Sequence, residues 1–306
     1  MKDAARTRFA RALRPARYAT VALAIAGIAV SSRSAAYCRT TNCPKCDPDA
    51  NQCPGGTPIA WPTSCLTFSM HYAASKKVDL ATATSVMEKA FAAWTQASCP
   101  GSDSPPSITI DHHFGEAACE LHEYNLTDGN ANIILFRDDV WPYEAASNVL
   151  GLTTVTFKGS VVLDVDMEIN TTQRISVGDP VPAMNYDLQS IVTHEAGHFF
   201  GMGHSNDPAA TMRAQYSSGM DSFRSLAPDD IAGICSIYPP DQAAQCNSTP
   251  KQGFSTVCGI FPSGNGGACS LAEIPSARST RRGAPWLALS TMTMAIWLAR
   301  RRARRL

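Results

Sequence analysis

The pattern of apolar and polar positions divides the chain into a structured middle and two ends of a different character. Residues 65–72 alternate between apolar and polar side chains, which is the period of a strand with one buried face. Short apolar runs bounded by Gly, Pro, Asp and Asn predict four more strands, at residues 107–110, 132–136, 152–157 and 161–169. The sequence therefore predicts five strands.

Helical spacing of apolar residues predicts three helices. Asp79 and Asp187 are each placed to cap a helix whose apolar residues recur on one face. The helix after Asp187 is expected to end at Gly201 or Gly203, because glycine tolerates the backbone turn that closes a helix. A third helix begins at Pro228, whose fixed φ suits the first helical turn.

The α+β body that these elements form, residues 58–240, has a normal size for one domain. Residues 1–36 combine arginines, an apolar run and a small-residue cleavage site, which indicates a secretory signal peptide. Residues 37–57 are rich in Pro, Gly and Cys, which predicts a segment that is cross-linked by its cysteines and precedes the domain. Residues 241–283 have the composition of a flexible linker. Residues 284–306 begin with an apolar run and end in arginines, a pattern typical of a short transmembrane segment.

Charge and cysteine content narrow the class of protein. Lys plus Arg and Asp plus Glu both number 26, so the charge balance indicates no nucleic-acid groove. All 11 cysteines follow the signal peptide, which fits an oxidising compartment in which disulfides persist. The spacing of Cys43 and Cys46 is also that of half a structural zinc site, but no matching second half is present. An odd count leaves at least one cysteine outside the disulfides.

The stretch HEAGHFFGMGH carries the chemistry. His194 and His198 are four residues apart on a predicted helix, so both imidazoles leave one face and can share a metal. Gly201 lets the chain turn back and deliver His204 as a third ligand, which leaves the fourth zinc position for water. Glu195 is placed to take the proton of that water. Because the motif specifies five positions, a chance match is rare, and this favours the zinc site over a non-catalytic histidine cluster.

This stretch resembles the zinc site of the metzincin peptidases, and Ser205 directly after the third histidine resembles the choice of their matrixin branch. The similarity continues through residues 207–212 and implies a Met-turn, with Met212 as the floor beneath one catalytic zinc. It also implies that Tyr216 is a wall of the substrate pocket. The resemblance implies a metzincin fold with a five-stranded, mixed, twisted sheet and three main helices. Its substrate-binding edge strand would include Gly151, Leu152 and Thr153.

Further parts of the resemblance concern the support of the site. Asp229 and Asp230 look like the paired aspartates that hold the Met-turn and the N-terminal segment. Cys46 resembles a shortened cysteine switch, although a disulfide is the alternative. We expect disulfides between Cys99 and Cys119 and between Cys65 and Cys235. Matrixins usually have proline where Ala214 stands here, a departure that affects the shape of the substrate pocket.

Calcium is a second candidate cofactor, on ligand type alone. Asp164, Asp166 and Glu168 alternate along a predicted strand and could line a calcium site. The alternative is an ordinary solvated face. The histidines that matrixins use for a second, structural zinc have no counterparts in the two strands at residues 152–157 and 161–169.

The C-terminus resembles the sorting tails of myxobacterial surface proteins. Cys269 is followed by a spacer, an apolar segment at residues 284–299 and an arginine cluster. The resemblance implies processing near Cys269 and retention at the cell surface or outer membrane through the tail or a lipid. The alternative is that the apolar segment remains as a membrane anchor.

The sequence thus predicts a secreted, monomeric zinc endopeptidase that acts on protein or peptide substrates. Its alternative is a surface-anchored, non-catalytic binding or adhesion module on the same shell. Glu195 and the three histidines favour the enzyme, because a retired site is free to lose them.

Overall fold

The computed structural model describes residues 36–43, 53, 55–111, 115–143, 149–243, 246–257 and 290–293. The apolar run of the predicted signal peptide, Cys46, Cys269 and the terminal arginines lie outside these residues. In chain order the elements are β1 (Cys38–Arg39), β2 (Cys65–Thr67), β3 (Ser69–Met70), α1 (Leu80–Thr95), β4 (Thr109–Asp111), β5 (Ile133–Phe136), β6 (Gly151–Lys158), β7 (Val161–Ile169), β8 (Ile175–Ser176), β9 (Tyr186–Asp187), α2 (Leu188–Phe199), β10 (Met202–Gly203), α3 (Pro228–Ile237) and β11 (Ser290–Thr293).

The main sheet has five strands in the order β11-β6-β7-β5-β3. Strand β6 is antiparallel to both of its neighbours, whereas the other pairs are parallel, so the sheet is mixed. Three main helices accompany it. The predicted α+β class and the metzincin type of sheet are therefore confirmed.

The first predicted strand divides at Phe68 between two partners. Its first half, β2, pairs with β4, and its second half, β3, pairs with β5. Another difference concerns Ser290–Thr293, which the sequence assigns to a membrane segment. These four residues are extended and pair with β6 instead. Across the described ranges, no helix has the length and apolar character needed to cross a membrane.

An aromatic core joins α1 to α2 and fixes the histidine helix on the sheet. The ring of Phe91 stacks on Phe68 at 4.9 Å and meets Phe199 edge-on at 5.2 Å. Trp94 is fully buried, and its indole N–H donates to the carbonyl of Thr193 at 2.8 Å. Because both partners lie on α2, the core sets the position of that helix relative to α1.

Both predicted helix caps are confirmed. Asp79 accepts the backbone N–H of Thr82 at 3.0 Å, and Asp187 accepts that of Ser190 at 2.8 Å. Each carboxylate satisfies one N–H that has no partner within the helix. The start of α2 is therefore set locally, at the residue that the sequence indicates.

The predicted disulfides are wrong. Cys99 pairs with Cys235 across a Cα–Cα distance of 5.7 Å, and Cys65 pairs with Cys246 across 4.7 Å. Cys119 is also in a disulfide, but not with Cys99. The chain after α1 returns to the end of α3, and this long-range approach decides the pairing.

The segment 246–257 packs on the body, so the predicted linker does not begin as a free tether. Cys65 holds its start through the disulfide to Cys246. Further along, the side-chain amide of Asn130 donates to the carbonyl of Lys251 at 2.9 Å, and the carbonyl of Asn130 accepts the N–H of Ser255 at 3.1 Å. The amino-acid composition predicts a flexible linker because it contains no information about these hydrogen bonds between the segment and the body.

Candidate metal centre

Helix α2 and the turn after it bring three histidines together. His194 and His198 lie one turn apart, with ring centroids 4.9 Å apart. Gly201 has a φ of +94°, which ends the helix and turns the chain back toward His204. The ligand atoms of the three imidazoles all lie within 4.8 Å of one another. Within the described residues, no other group of three His, Cys, Asp or Glu side chains converges in this way.

Two backbone carbonyls orient the imidazoles. Nδ1 of His194 lies 2.7 Å from the carbonyl oxygen of Thr211, and Nδ1 of His198 lies 2.9 Å from that of Met202. Each carbonyl accepts a hydrogen bond from Nδ1–H, which leaves the lone pair of Nε2 free. Burial lowers the pKa of all three histidines, that of His204 to about 3. The neutral imidazole is the form that binds a metal, so this donor set fits zinc.

Glu195 is held by the edge strand that crosses in front of α2. Its side chain is buried, and Oε2 accepts a hydrogen bond from the Thr153 hydroxyl at 2.7 Å. Burial raises the pKa of Glu195 to about 7, and the Thr153 hydrogen bond acts in the opposite direction. A Cβ added at Gly151 would lie 2.7 Å from Oε1. The sequence analysis assigns Gly151 and Thr153 only to substrate binding. In the structure both residues also lie against the Glu195 carboxylate.

Only part of the β6 edge is open to an added strand. Leu152 lies opposite Glu168 in the register, on the face of the sheet turned away from Thr153 and α2. The outer neighbour β11 pairs with residues 154–157. Within the described part of the chain, Gly151–Thr153 have no strand on that side. The open stretch is therefore the one beside Glu195.

Beneath the histidines, Met212 is fully buried. A Cβ added at Gly197 would lie 2.2 Å from the Met212 sulfur and 2.7 Å from Cζ2 of Trp94. The helix therefore needs glycine at this position so that the methionine can approach. Sequence reasoning missed Gly197, although a glycine within a helix, which costs about 1 kcal/mol relative to alanine, is itself a signal of close packing.

The paired aspartates hold the surroundings of Met212 as the resemblance implies. Asp230 accepts the backbone N–H groups of residues 211–212 at 2.7 and 3.0 Å. Asp229 accepts the Ser205 hydroxyl at 2.6 Å and the N–H groups of residues 36–37 at 2.8 and 3.1 Å. One dipeptide thus ties the turn and the N-terminal segment to α3.

Tyr216, the predicted pocket wall, packs on the ring of Phe223, which in turn packs on a metal-site histidine. Its ring lies 4.8 Å from that of Phe223, and Phe223 lies nearly parallel to His194 at 6.2 Å. The Tyr216 hydroxyl donates to the carbonyl of Met220, and burial raises the pKa of Tyr216 to about 12. Phe223, in the short 3-10 turn Ser222–Arg224, is a neighbour of the site that the sequence did not indicate.

The three acids of β7 do not form a solvated face, so that interpretation is wrong. Asp164, Asp166 and Glu168 are 1%, 2% and 0% exposed. Asp164 and Asp166 share a hydrogen bond, and burial raises the pKa of both. Arg137, Tyr143 and other protein groups already occupy both carboxylate oxygens of Glu168. Calcium binding remains a prediction.

Comparison with known proteins agrees with this geometry. The family model that matches is Matrixin, a peptidase family, over residues 60–239, which is more than half of the chain. Human matrilysin is 29% identical over 144 residues, which cover 44% of this chain and 52% of that protein. Metalloendoproteinase 1-MMP of Arabidopsis thaliana is 26% identical over 220 residues, 67% of this chain and 52% of that protein.

Metalloendoproteinase 1 of Glycine max is 36% identical over 115 residues, 35% of this chain and 36% of that protein. The chain spans about half the length of the first two relatives. Because the family model matches residues 60–239, which include four strands of the main sheet, the histidine helix and α3, the chain belongs to the matrixin family.

Proposed function

We propose that the protein is a zinc-dependent endopeptidase that hydrolyses peptide bonds of extracellular proteins. The observation that carries the proposal is the convergence of three neutral imidazoles, one buried and two half-buried, beside one buried carboxylate that a hydroxyl holds in place. The relatives named as metalloendoproteinases support cleavage within a peptide chain. Membership of the matrixin family supports zinc as the bound metal.

The residues present divide the chemistry between them. His194, His198 and His204 would hold the zinc ion, which when bound supplies Lewis acidity and a water with a pKa of about 7. Glu195 lies where it can take a proton from water and return it to the leaving amine. Thr153 fixes Oε2 of that carboxylate at 2.7 Å, so the base is oriented before substrate arrives.

Substrate binding is assigned to the open part of the β6 edge. An extended peptide laid along Gly151–Thr153 would add backbone hydrogen bonds to the sheet and pass Glu195. Met212 forms the apolar floor below the histidines, and Tyr216 with Phe223 forms a wall beside His194. This arrangement brings a peptide bond to the carboxylate by backbone contacts that depend little on side chains.

Secretion and retention at the cell surface are part of the proposal. The disulfides Cys38–Cys53, Cys65–Cys246 and Cys99–Cys235 support an oxidising compartment. The signal peptide and the processing of the tail near Cys269 rest on the sequence alone.

The decisive experiment compares the full chain with its Glu195→Ala variant on an unstructured protein substrate. We expect the parent to bind one zinc and to lose turnover with a chelator. The variant should keep the zinc and lose activity by about 10²–10⁴-fold, the usual contribution of a general base. Glu88→Ala, at an exposed glutamate of α1, is the matched control and should cleave like the parent. A parent that binds zinc but cleaves nothing would favour the adhesion module instead.

A further inference from the structure

Glu168 is a completely buried carboxylate on β7, on the face of the sheet opposite the helices. Arg137 donates from Nε to Oε1 at 2.6 Å and also places a second guanidinium nitrogen on that oxygen. The other oxygen, Oε2, accepts from the Tyr143 hydroxyl and lies 2.9 Å from Nδ1 of His122. These four residues are called the Glu168 network.

The donors of the Glu168 network come from two separate parts of the chain. His122 lies between β4 and β5, whereas Arg137 and Tyr143 lie in the connection 137–150 that leads from β5 into β6. Arg137 also donates to the carbonyl of Glu120 at 2.8 Å. A buried carboxylate is strongly unfavourable without such partners, so the structure specifies their positions closely.

The same connection ends at the active-site edge. Asn170, two residues beyond Glu168, donates its backbone N–H to the carbonyl of Leu150 at 2.9 Å and its side-chain amide to that of Val149 at 2.8 Å. The next residue is Gly151, which fits against Glu195. The end of β7, two residues beyond Glu168, therefore holds residues 149–150 directly before the edge.

We infer that Glu168 is a positioning residue for substrate binding, whose network fixes the end of β7 at residues 168–170 and through it the place of the open edge Gly151–Thr153. The inference rests on the proposed function, because that edge matters only if a peptide binds there. Glu168 lies opposite Leu152 in the register and on the face of the sheet away from α2 and Glu195, so it acts on the edge through the backbone. Loss of the network should shift the edge and weaken peptide binding, while the zinc and Glu195 remain in place.

The charged groups around His122 predict a second effect of the Glu168 network, a pH dependence of peptide binding. The imidazole faces the carboxylates of Glu168, Asp166 and Glu123 and the guanidinium of Arg137. The hydrogen bond with Glu168 raises the pKa of His122 above its usual value. A raised pKa in the folded protein means that the ion pair is fully present at lower pH and is lost as pH rises through that pKa. Peptide binding should weaken over the same range.

The test measures kcat and KM of the zinc-loaded full chain on a peptide long enough to cover Gly151–Thr153. Glu168→Gln should raise KM by about tenfold and leave kcat within about twofold, because binding and not chemistry is disturbed. Tyr143→Phe removes one hydroxyl with little risk to folding and should raise KM about threefold. Asp139→Asn, in the same connection but in an exposed ion pair with Lys76, is the control and should change neither constant.

A pH series separates positioning from general support of the fold. The parent should show a KM that rises on the alkaline side, and His122→Gln should make KM independent of pH there. An unchanged KM in both Glu168→Gln and Tyr143→Phe, or a fall in kcat alone, would overturn the inference. A parent without chelator-sensitive turnover would instead show that the proposed function itself has failed.

Discussion

Gly197 lies in the last turn of α2, between the first two histidines of the metal site. Replacing it by alanine sets two physical effects against each other. Helix propensity favours alanine over glycine by about 1 kcal/mol. Packing opposes the change, because the new Cβ would lie 2.2 Å from the Met212 sulfur and 2.7 Å from Cζ2 of Trp94. Ordinary carbon contacts are about 3.5–4.0 Å long, so one or both neighbours must move.

Neither neighbour has room to move freely. Met212 and Trp94 are both 0% exposed, and the Trp94 indole is tied to the carbonyl of Thr193. Overpacking of such a core costs about 1–3 kcal/mol, which exceeds the gain in helix propensity. We therefore expect Gly197→Ala to lower the free energy of unfolding by about 1–2 kcal/mol. Displacement of Met212 also moves Thr211, whose carbonyl orients His194, so zinc affinity should fall by about tenfold.

Urea unfolding of the zinc-loaded protein and competition with a chelator measure the two effects separately. Met212→Ala removes the clashing atoms, so Gly197→Ala should destabilise a Met212→Ala background less than it destabilises the parent. A Gly197→Ala protein that is as stable as the parent or more stable, with unchanged zinc affinity, would refute the packing argument and leave helix propensity as the dominant effect.

Three further outcomes follow from single contacts. Thr153→Val removes the hydroxyl that holds Glu195, and steady-state kinetics should show kcat lower by about tenfold with the zinc content unchanged; equal kcat would mean that the base needs no such support. Asp230→Asn keeps the shape but removes the charge that three backbone N–H groups face, and urea unfolding should show a loss of about 2–3 kcal/mol. Replacing Cys99 and Cys235 together by alanine opens a loop of 136 residues and should cost about 5 kcal/mol on the chain-entropy model; a loss below about 1 kcal/mol in thermal unfolding would count against that pairing.

Features that depend on neighbouring residues could be predicted from the sequence alone. Apolar periodicity located α1, α2 and the strands from β2 to β7, because the spacing of apolar side chains determines which face of an element is buried. Asp79 and Asp187 marked helix starts because a capping carboxylate acts within three residues of its own position. The spacing of His194, His198 and His204 around Gly201 was sufficient to predict a three-histidine cluster, because the helix repeat and one turn bring these side chains together.

Contacts between distant parts of the chain could be identified from the three-dimensional structure and not from the sequence. Thr153 meets Glu195 across 42 residues, and Cys99 meets Cys235 across 136. The burial of Glu168 among Arg137, Tyr143 and His122 likewise has no local signature in the sequence. The alternating acids of β7 were therefore also consistent with a solvent-exposed strand face. No periodicity encodes such contacts, because they depend on how the sheet orders its strands and on which loops then cover it.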